Sequence, residues 1–346
     1  MSKERRGILA GGNWIVDRVK IIDSYPAQET LSNILSESVS NGGSPYNILK
    51  DLSKLGAPFP LAGIGLIGND EAGKYILQDC GANNIDSSQI TTTDLTSTSY
   101  TDVMTGQTDG KRTFFHYRGA NALLANAHFK NLEKSSAKIF HLGYLLLLDK
   151  MDEILSDGNT VAANVLKLAR DLGFKTSVDL VSENSDRFKS VVTPALPFID
   201  YLFINEFEAE KLTGVETTFP DKSIDVEGCL NACRYVLDKG VNEWVILHFP
   251  NGCIAVNRNG HQVYQGSVKV PQEKIQGTVG AGDAFASGVL FGLHEGLEMK
   301  ECLELGVCAA AACIHKEDCS SGVLSKESCL ELGKMFDFRD AGVRYP

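Results

Sequence analysis

The chain has 346 residues, 43% hydrophobic and 22% charged, with a formal net charge of −11. This composition is that of a globular protein and excludes a largely disordered, collagen-like or coiled-coil chain. The acidic balance argues against nucleic acid and membrane surfaces as partners, but it leaves room for an anionic ligand at a locally positive site. No apolar run approaches the roughly 20 residues that span a bilayer, and the best candidates, 144–148 and 307–314, fall far short. Residues 1–6 are basic, but the apolar stretch after them is too short for a signal-peptide core. Nine cysteines are present, an odd count with eight of them from Cys229 onward. They fit small core residues of a protein in the reducing cytoplasm better than a disulfide framework.

Along the chain, residues 15–23 have a strand pattern and lead into a polar segment, 24–41. Residues 98–118 form two ribbons rich in Thr, Phe and Tyr around a turn at 108–110. From residue 138 onward, short apolar runs alternate with amphipathic stretches. Strands are expected at 138–148, 176–180, Tyr201–Asn205 and Trp244–Phe249, and helices at 160–172 and 230–238. Apolar runs without polar alternation suit strands covered on both faces. Alternating strands and helices predict an α/β fold, a doubly wound and mostly parallel sheet with helices on both faces. Asn259-Gly260 marks a hairpin within 251–270, and helices follow at 283–295, 303–314 and Lys326–Phe336. The expected organisation is one large α/β domain over 1–346, with a small β lid drawn from excursions at 15–41 and 95–119.

The segment richest in chemistry is Gly277-Thr278-Val279-Gly280-Ala281-Gly282-Asp283. A helix is expected to start near Asp283, directly after Gly280 and Gly282. A Gly-rich turn opening a helix aims unpaired backbone N–H groups at one point, and the helix dipole adds partial positive charge there. The combination suits phosphate. Asp283 would repel that ligand unless it has a task, such as accepting the proton of an attacking hydroxyl. The alternative is a plain helix cap.

With this motif the chain resembles the ribokinase-like, or PfkB, sugar kinases, whose hallmark is Asp-Thr-x-Gly-Ala-Gly-Asp near the C-terminus. The resemblance covers nearly the whole chain. Gly42-Gly43-Ser-Pro-Tyr-Asn47 resembles the family's early Gly-Gly-x-x-x-Asn motif, and Gly65-Leu-Ile-Gly68-Asn-Asp70-Glu-Ala-Gly73 its Gly-x-x-Gly-x-Asp-x-x-Gly segment. Gly119-Ala-Asn121 after Arg118, and Asn205-Glu-Phe-Glu208, match two further elements in order. The resemblance implies a kinase that moves the γ-phosphoryl group of ATP, with Mg²⁺, to a hydroxyl of a sugar or sugar acid. Asp283 is then the base, and the N–H groups of Gly280, Ala281 and Gly282 stabilise the transferring phosphoryl. Asn205 and Glu208 position Mg²⁺ and phosphates through water, with Thr278 and Phe249 on the nucleotide side. Asp17, Gly43 and Asn47 hold sugar hydroxyls; Arg118 is expected at the substrate from its place on the second ribbon, not from the resemblance. A homodimer through the β lid is implied as well.

Three positions depart from the family pattern. Gly277 replaces the Asp that helps bind a monovalent cation, which leaves activation by potassium open. Leu247-His248-Phe249 stands where a strand-end Thr-x-Gly contacts the nucleotide, so a ring that can stack replaces a glycine. Cys308 stands where Asn is common near the adenine. A nucleoside kinase of the same fold and a non-catalytic sugar or nucleotide sensor are the competing readings.

Weaker signals are set aside or left open. Gly63-Ile-Gly65-Leu-Ile-Gly68 fits a dinucleotide fingerprint literally, but it lies far from the first strand and Asp70-Glu71 follow it. Cys229 and Cys233 share a helix face, yet no Cys-x-x-Cys pair exists to suggest zinc. Arg112, His116 and Arg118 share one face of the second ribbon, either towards a ligand or towards solvent. Phe114 and Phe115 point to opposite faces, and one of them is a candidate contact for a second subunit.

Overall fold

A computed structural model of the chain describes residues 5–108 and 110–340. The chain starts in β1 (Ile8–Gly12), then leaves the main body as the antiparallel pair β2 (Ile15–Ile22) and β3 (Ile34–Gly42). It returns through α1 (Ser44–Lys54), β4 (Leu61–Gly68), α2 (Glu71–Ala82) and β5 (Ile85–Thr93). A second excursion forms β6 (Ser99–Gly106) and β7 (Arg112–Tyr117). Alternating units follow: β8 (Ile139–Leu145), α3 (Val161–Asp171), β9 (Lys175–Leu180), α4 (Phe188–Val192) and β10 (Tyr201–Asn205). Next come α5 (Glu206–Thr213), α6 (Val226–Asp238), β11 (Trp244–Phe249) and the hairpin strands β12 (Gly252–Asn257) and β13 (Gln262–Gly266). The helices α7 (Ala281–Glu295), α8 (Met299–Cys313) and α9 (Lys326–Phe336) complete the fold.

The large sheet runs β13-β12-β11-β10-β9-β8-β1-β4-β5, and every pairing from β11 across to β5 is parallel. Helices cover both faces, so successive side chains of one strand enter opposite cores. Leu202 and Leu247 belong to one core, Phe203 and Ile246 to the other. That is why these strands read as unbroken apolar runs. The second sheet, β3-β2-β6-β7, is formed by the two excursions expected to make a lid.

The structure corrects several boundaries. The polar segment at 24–41 contains β3, a strand made by pairing with β2 while most of its side chains stay exposed. Without a buried face it carries no apolar signature. The helix expected from Asp283 begins earlier, at Ala281, because Gly280 adopts φ 78° and turns the chain into it. The helix expected at 303–314 begins at Met299, with Glu298 and Glu301 capping each other. The turn read at 108–110 includes Asp109, which lies outside the described residues.

The dinucleotide-like glycines are packing residues inside β4. A Cβ on Gly63 would come within 2.6 Å of the Trp14 indole, and one on Gly65 would strike the same ring. All nine cysteines are free and buried. Among the described residues, no helix is long and apolar enough to cross a membrane.

The strand pairings sort the lid residues by face. Asp17, Thr101, Arg112, Phe114 and His116 share one face, and Arg18, Asp102, Phe115, Tyr117 and Val39 share the other. The first face turns to the segments flanking α7 and α8: Asp17 lies beside Cys319, and the Arg112 guanidinium lies against Gly277.

Candidate active site

Parallel strands deliver their carboxyl ends to one edge of a sheet, which is where open α/β folds bind ligands. Here β8, β9, β10 and β11 are consecutive neighbours. They bring Tyr144, Asp179, Asn205 and His248 to one cavity of about 270 Å³, together with Glu208 and Asp283. A larger cavity of about 530 Å³ adjoins it, lined by Phe249, Ile275, Thr278, Phe285, Val307 and Ile314 among others. Asn205, His248 and Gly282 line both cavities and so mark the passage between them.

The first turn of α7 also opens on this passage. Gly280 has φ 78°, and a Cβ there would lie 2.5 Å from the Cys319 carbonyl oxygen, so the position accepts only glycine. The leading N–H groups of a helix have no acceptor within it. Of the three groups expected to face phosphate, that of Ala281 donates to the Thr278 carbonyl at 3.3 Å and closes the turn. Ala281 lines the larger cavity, Gly280 the smaller one and Gly282 both.

Asp283 follows in that same turn and is only 4% exposed. Its Oδ2 accepts hydrogen bonds from Asn47 Nδ2 and from the Tyr144 hydroxyl, both at 2.7 Å. Its Oδ1 is buried without a partner. Burial raises the carboxyl pKa to about 6, against the downward pull of Asn47 and Tyr144; the Ser44 hydroxyl is close by but bonds the His141 ring at 2.9 Å. Asn47 also accepts from Asn41 Nδ2 at 2.7 Å, and Asn41 donates onward to Ser320 Oγ at 2.9 Å. Both ends of the Asn47 amide are therefore used within the protein.

Asp17 reaches the same region from the lid. A Cβ on Gly42 would come within 2.5 Å of its carboxylate, so glycine leaves room for it. Cys319 Sγ lies 3.7 Å from Asp17 Oδ2, and burial raises this carboxyl to about 7. Gly43, at φ 87°, turns the chain into α1.

Asn205 and Glu208 form a reciprocal cap. The Asn205 side chain accepts from the Glu208 N–H at 2.8 Å, and Glu208 Oε2 accepts from the Asn205 N–H at 3.0 Å. Ser182 donates to Glu208 Oε1 at 2.7 Å. Glu208 is buried, and desolvation raises it to about 7. Asp179 is raised too, first by burial and then by the charges of Asp283 and Glu208. Among the described residues no group of three side chains forms a direct metal cage. Buried carboxylates that repel one another around a shared cavity nonetheless suit Mg²⁺, which binds through one or two carboxylates, waters and ligand phosphates.

The remaining expected residues are dispersed. Thr278 lines the larger cavity. Phe249 lines it too, but it is packed into the core and only 6% exposed. Strand alternation puts His248 on the opposite face of β11, where it lines both cavities. Arg118, expected at the substrate, pairs with Asp149 at 2.9 Å and lines neither cavity. His116 is held by Thr101 at 3.1 Å. Cys308 is buried in the core.

Tyr144, Asp179, His248 and Asn41 escaped the sequence reading. The first three occupy the ends of expected parallel strands; for Tyr144 and Asp179 that position was the only signal, while His248 also stood in the string that departs from the family's strand-end Thr-x-Gly. Asn41 gave none, because its strand was not recognised.

Comparison with known proteins completes the description. A family model described as "pfkB family carbohydrate kinase" matches residues 12–326. The probable fructokinase-7 of Arabidopsis thaliana is 29% identical over 297 residues, which is 84% of this chain and 80% of that protein. A 5-dehydro-2-deoxygluconokinase of Bacillus thuringiensis is 26% identical over 342 residues, 91% of each. The structure of Arabidopsis thaliana ribokinase complexed with ribose and ATP superposes with a TM-score of 0.77 at 21% identity, covering 95% of this chain and 98% of that one.

Proposed function

The chain belongs to the pfkB family of carbohydrate kinases, and we propose that it transfers the γ-phosphoryl group of ATP to a hydroxyl of a sugar or sugar acid, with Asp283 as general base. One observation carries this reading. Asp283 Oδ1 is buried, unpartnered and set in the first turn of a helix that opens on the passage between the two cavities. A hydroxyl bonded there gives up its proton as it attacks, while backbone N–H groups at the helix start meet the charge on the phosphoryl oxygens. Asn47 and Tyr144 fix the carboxylate by its other oxygen, so Oδ1 is the one left for the acceptor. The larger, mostly apolar cavity suits the nucleoside part of the donor.

Glu208, with Asp179 beside it, would hold Mg²⁺ through water. When bound, the metal neutralises phosphate charge. Asp17 and Gly43 would serve the acceptor, since oriented polar groups select hydroxyls. The lid's outer face carries Phe115, 51% exposed, beside Tyr117 on one edge strand and Val39 on the opposite edge strand, and a second copy of the chain is the proposed cover for it.

A panel of sugars, sugar acids and nucleosides, assayed for ADP release with ATP and Mg²⁺, tests the activity. Turnover is expected with at least one sugar or sugar acid, and Asp283→Asn should lower kcat by ~10³-fold with the melting temperature preserved. Near wild-type turnover in Asp283→Ala, or sugar binding without turnover under any nucleotide, overturns it. Turnover confined to nucleosides points to the nucleoside kinase instead.

A further inference from the structure

The loop that leads into α7 meets a residue of the lid at Gly277. A Cβ on Gly277 would strike the Arg112 guanidinium, with Nη2 nearest and Cζ 3.2 Å away. The Lys316 carbonyl oxygen lies 3.1 Å from the same point. The Gln276 N–H donates to the Ile314 carbonyl at 2.9 Å, so this loop runs along the C-terminal end of α8. The last carbonyl groups of a helix have no donor within it and carry partial negative charge, which favours a cation. Among the described residues no carboxylate forms an ion pair with Arg112, so its charge is not neutralised by an acid.

The family resemblance implies a monovalent cation beside this loop, held in part by an Asp at position 277. The residues present do not fit that ion. Gly277 supplies no carboxylate, and the volume a side chain would fill there holds a guanidinium, whose charge repels a second cation. We propose that Arg112 is a tethered replacement for the ion, a positioning residue whose fixed charge beside the loop 277–280 makes the phosphate-binding turn of α7 independent of potassium. The glycine and the arginine belong together, since a carboxylate at 277 would overlap the guanidinium where it now stands. Arginine stays charged throughout the working pH range, and a tethered cation need not be captured from solution. Positive charge at this place strengthens the attraction of the helix start for phosphate. The inference rests on the kinase reading for the anion that the turn binds.

Calorimetric titration with AMP-PNP and Mg²⁺ tests the proposal, in potassium chloride and in tetramethylammonium chloride at equal ionic strength. The proteins compared are wild type, Arg112→Ala, and Arg112→Ala combined with Gly277→Asp. Wild type should bind within about twofold in the two salts, and Arg112→Ala should bind ~10-fold more weakly than wild type in tetramethylammonium. The double variant should regain most of that affinity in potassium and none of it in tetramethylammonium. A gain of more than about twofold for wild type in potassium overturns the proposal, as does unchanged binding by Arg112→Ala. A loss that potassium does not restore in the double variant makes Arg112 a packing or direct ligand contact and also overturns it. If the variants fail to fold, the wild-type comparison decides: indifference to potassium supports the tethered cation, and tighter binding in potassium overturns it. All of these measurements read binding, so an absence of sugar phosphorylation would sink the activity without deciding the role of Arg112.

Discussion

Asp283 shows how opposing forces set one residue's chemistry. Burial drives the carboxyl pKa up, and donors to the carboxylate drive it down, leaving it near 6. A base with that pKa is ionised at neutral pH, and its activity is lost as pH falls through about 6. Tyr144 is one of the two donors on Oδ2, held in turn by its backbone N–H on Asn13 Oδ1. Tyr144→Phe removes a bond made to the charged form, so the carboxyl pKa must rise. The acidic limb of the kcat–pH profile should move up by about one unit, with kcat at pH 8 changed little. An acidic limb left in place would show that the phenol does not tune the base. Asp283 itself was legible in the sequence because the glycines before it announce a helix start facing an anion. Tyr144 was not, because it lies 139 residues from Asp283 along the chain and only sheet packing brings the two together.

Among the elements, α7 matters most, and its start depends on Gly280. The positive φ of this residue lets the chain enter the helix beside the Cys319 backbone. Gly280→Ala adds left-handed strain and a clash with Cys319 main-chain atoms. It should cost about 1–3 kcal/mol of stability, read by denaturant unfolding, and displace the turn enough to reduce turnover. Unchanged stability and turnover would mean that the turn tolerates a Cβ. The strands of the large sheet and the C-terminal helices were legible in the sequence because each buries a continuous or periodic apolar surface. β3 was not, because a lid strand is defined by its hydrogen-bonded partner while its side chains remain in solvent. Helix starts were misplaced where a glycine turn or a Glu298–Glu301 cap extends the helix ahead of its first apolar residues.

For the molecule as a whole, the lid poses the remaining question, since it carries exposed aromatic residues on both faces. The inner face holds Asp17 and Arg112 towards the cleft, while Phe115, Tyr117 and Val39 lie on the outer face. If the outer face is covered by a second copy, Phe115→Asp should convert a dimer to a monomer at micromolar concentration in sedimentation velocity, with the monomer still folded. A wild-type chain that sediments as a monomer would overturn the dimer. The net charge of −11 gives no hint of a phosphate site, because backbone N–H groups at a helix start do not enter a count of Lys and Arg. The sequence by itself determined the fold class, the family resemblance and the helix start that carries Asp283, because periodicity and glycine turns are local properties of the chain. Only the tertiary structure decided which side chains meet Asp283. It turned Arg118 to Asp149, buried Phe249 and brought His248, Tyr144 and Asp179 to one edge, because parallel strands far apart in sequence end side by side.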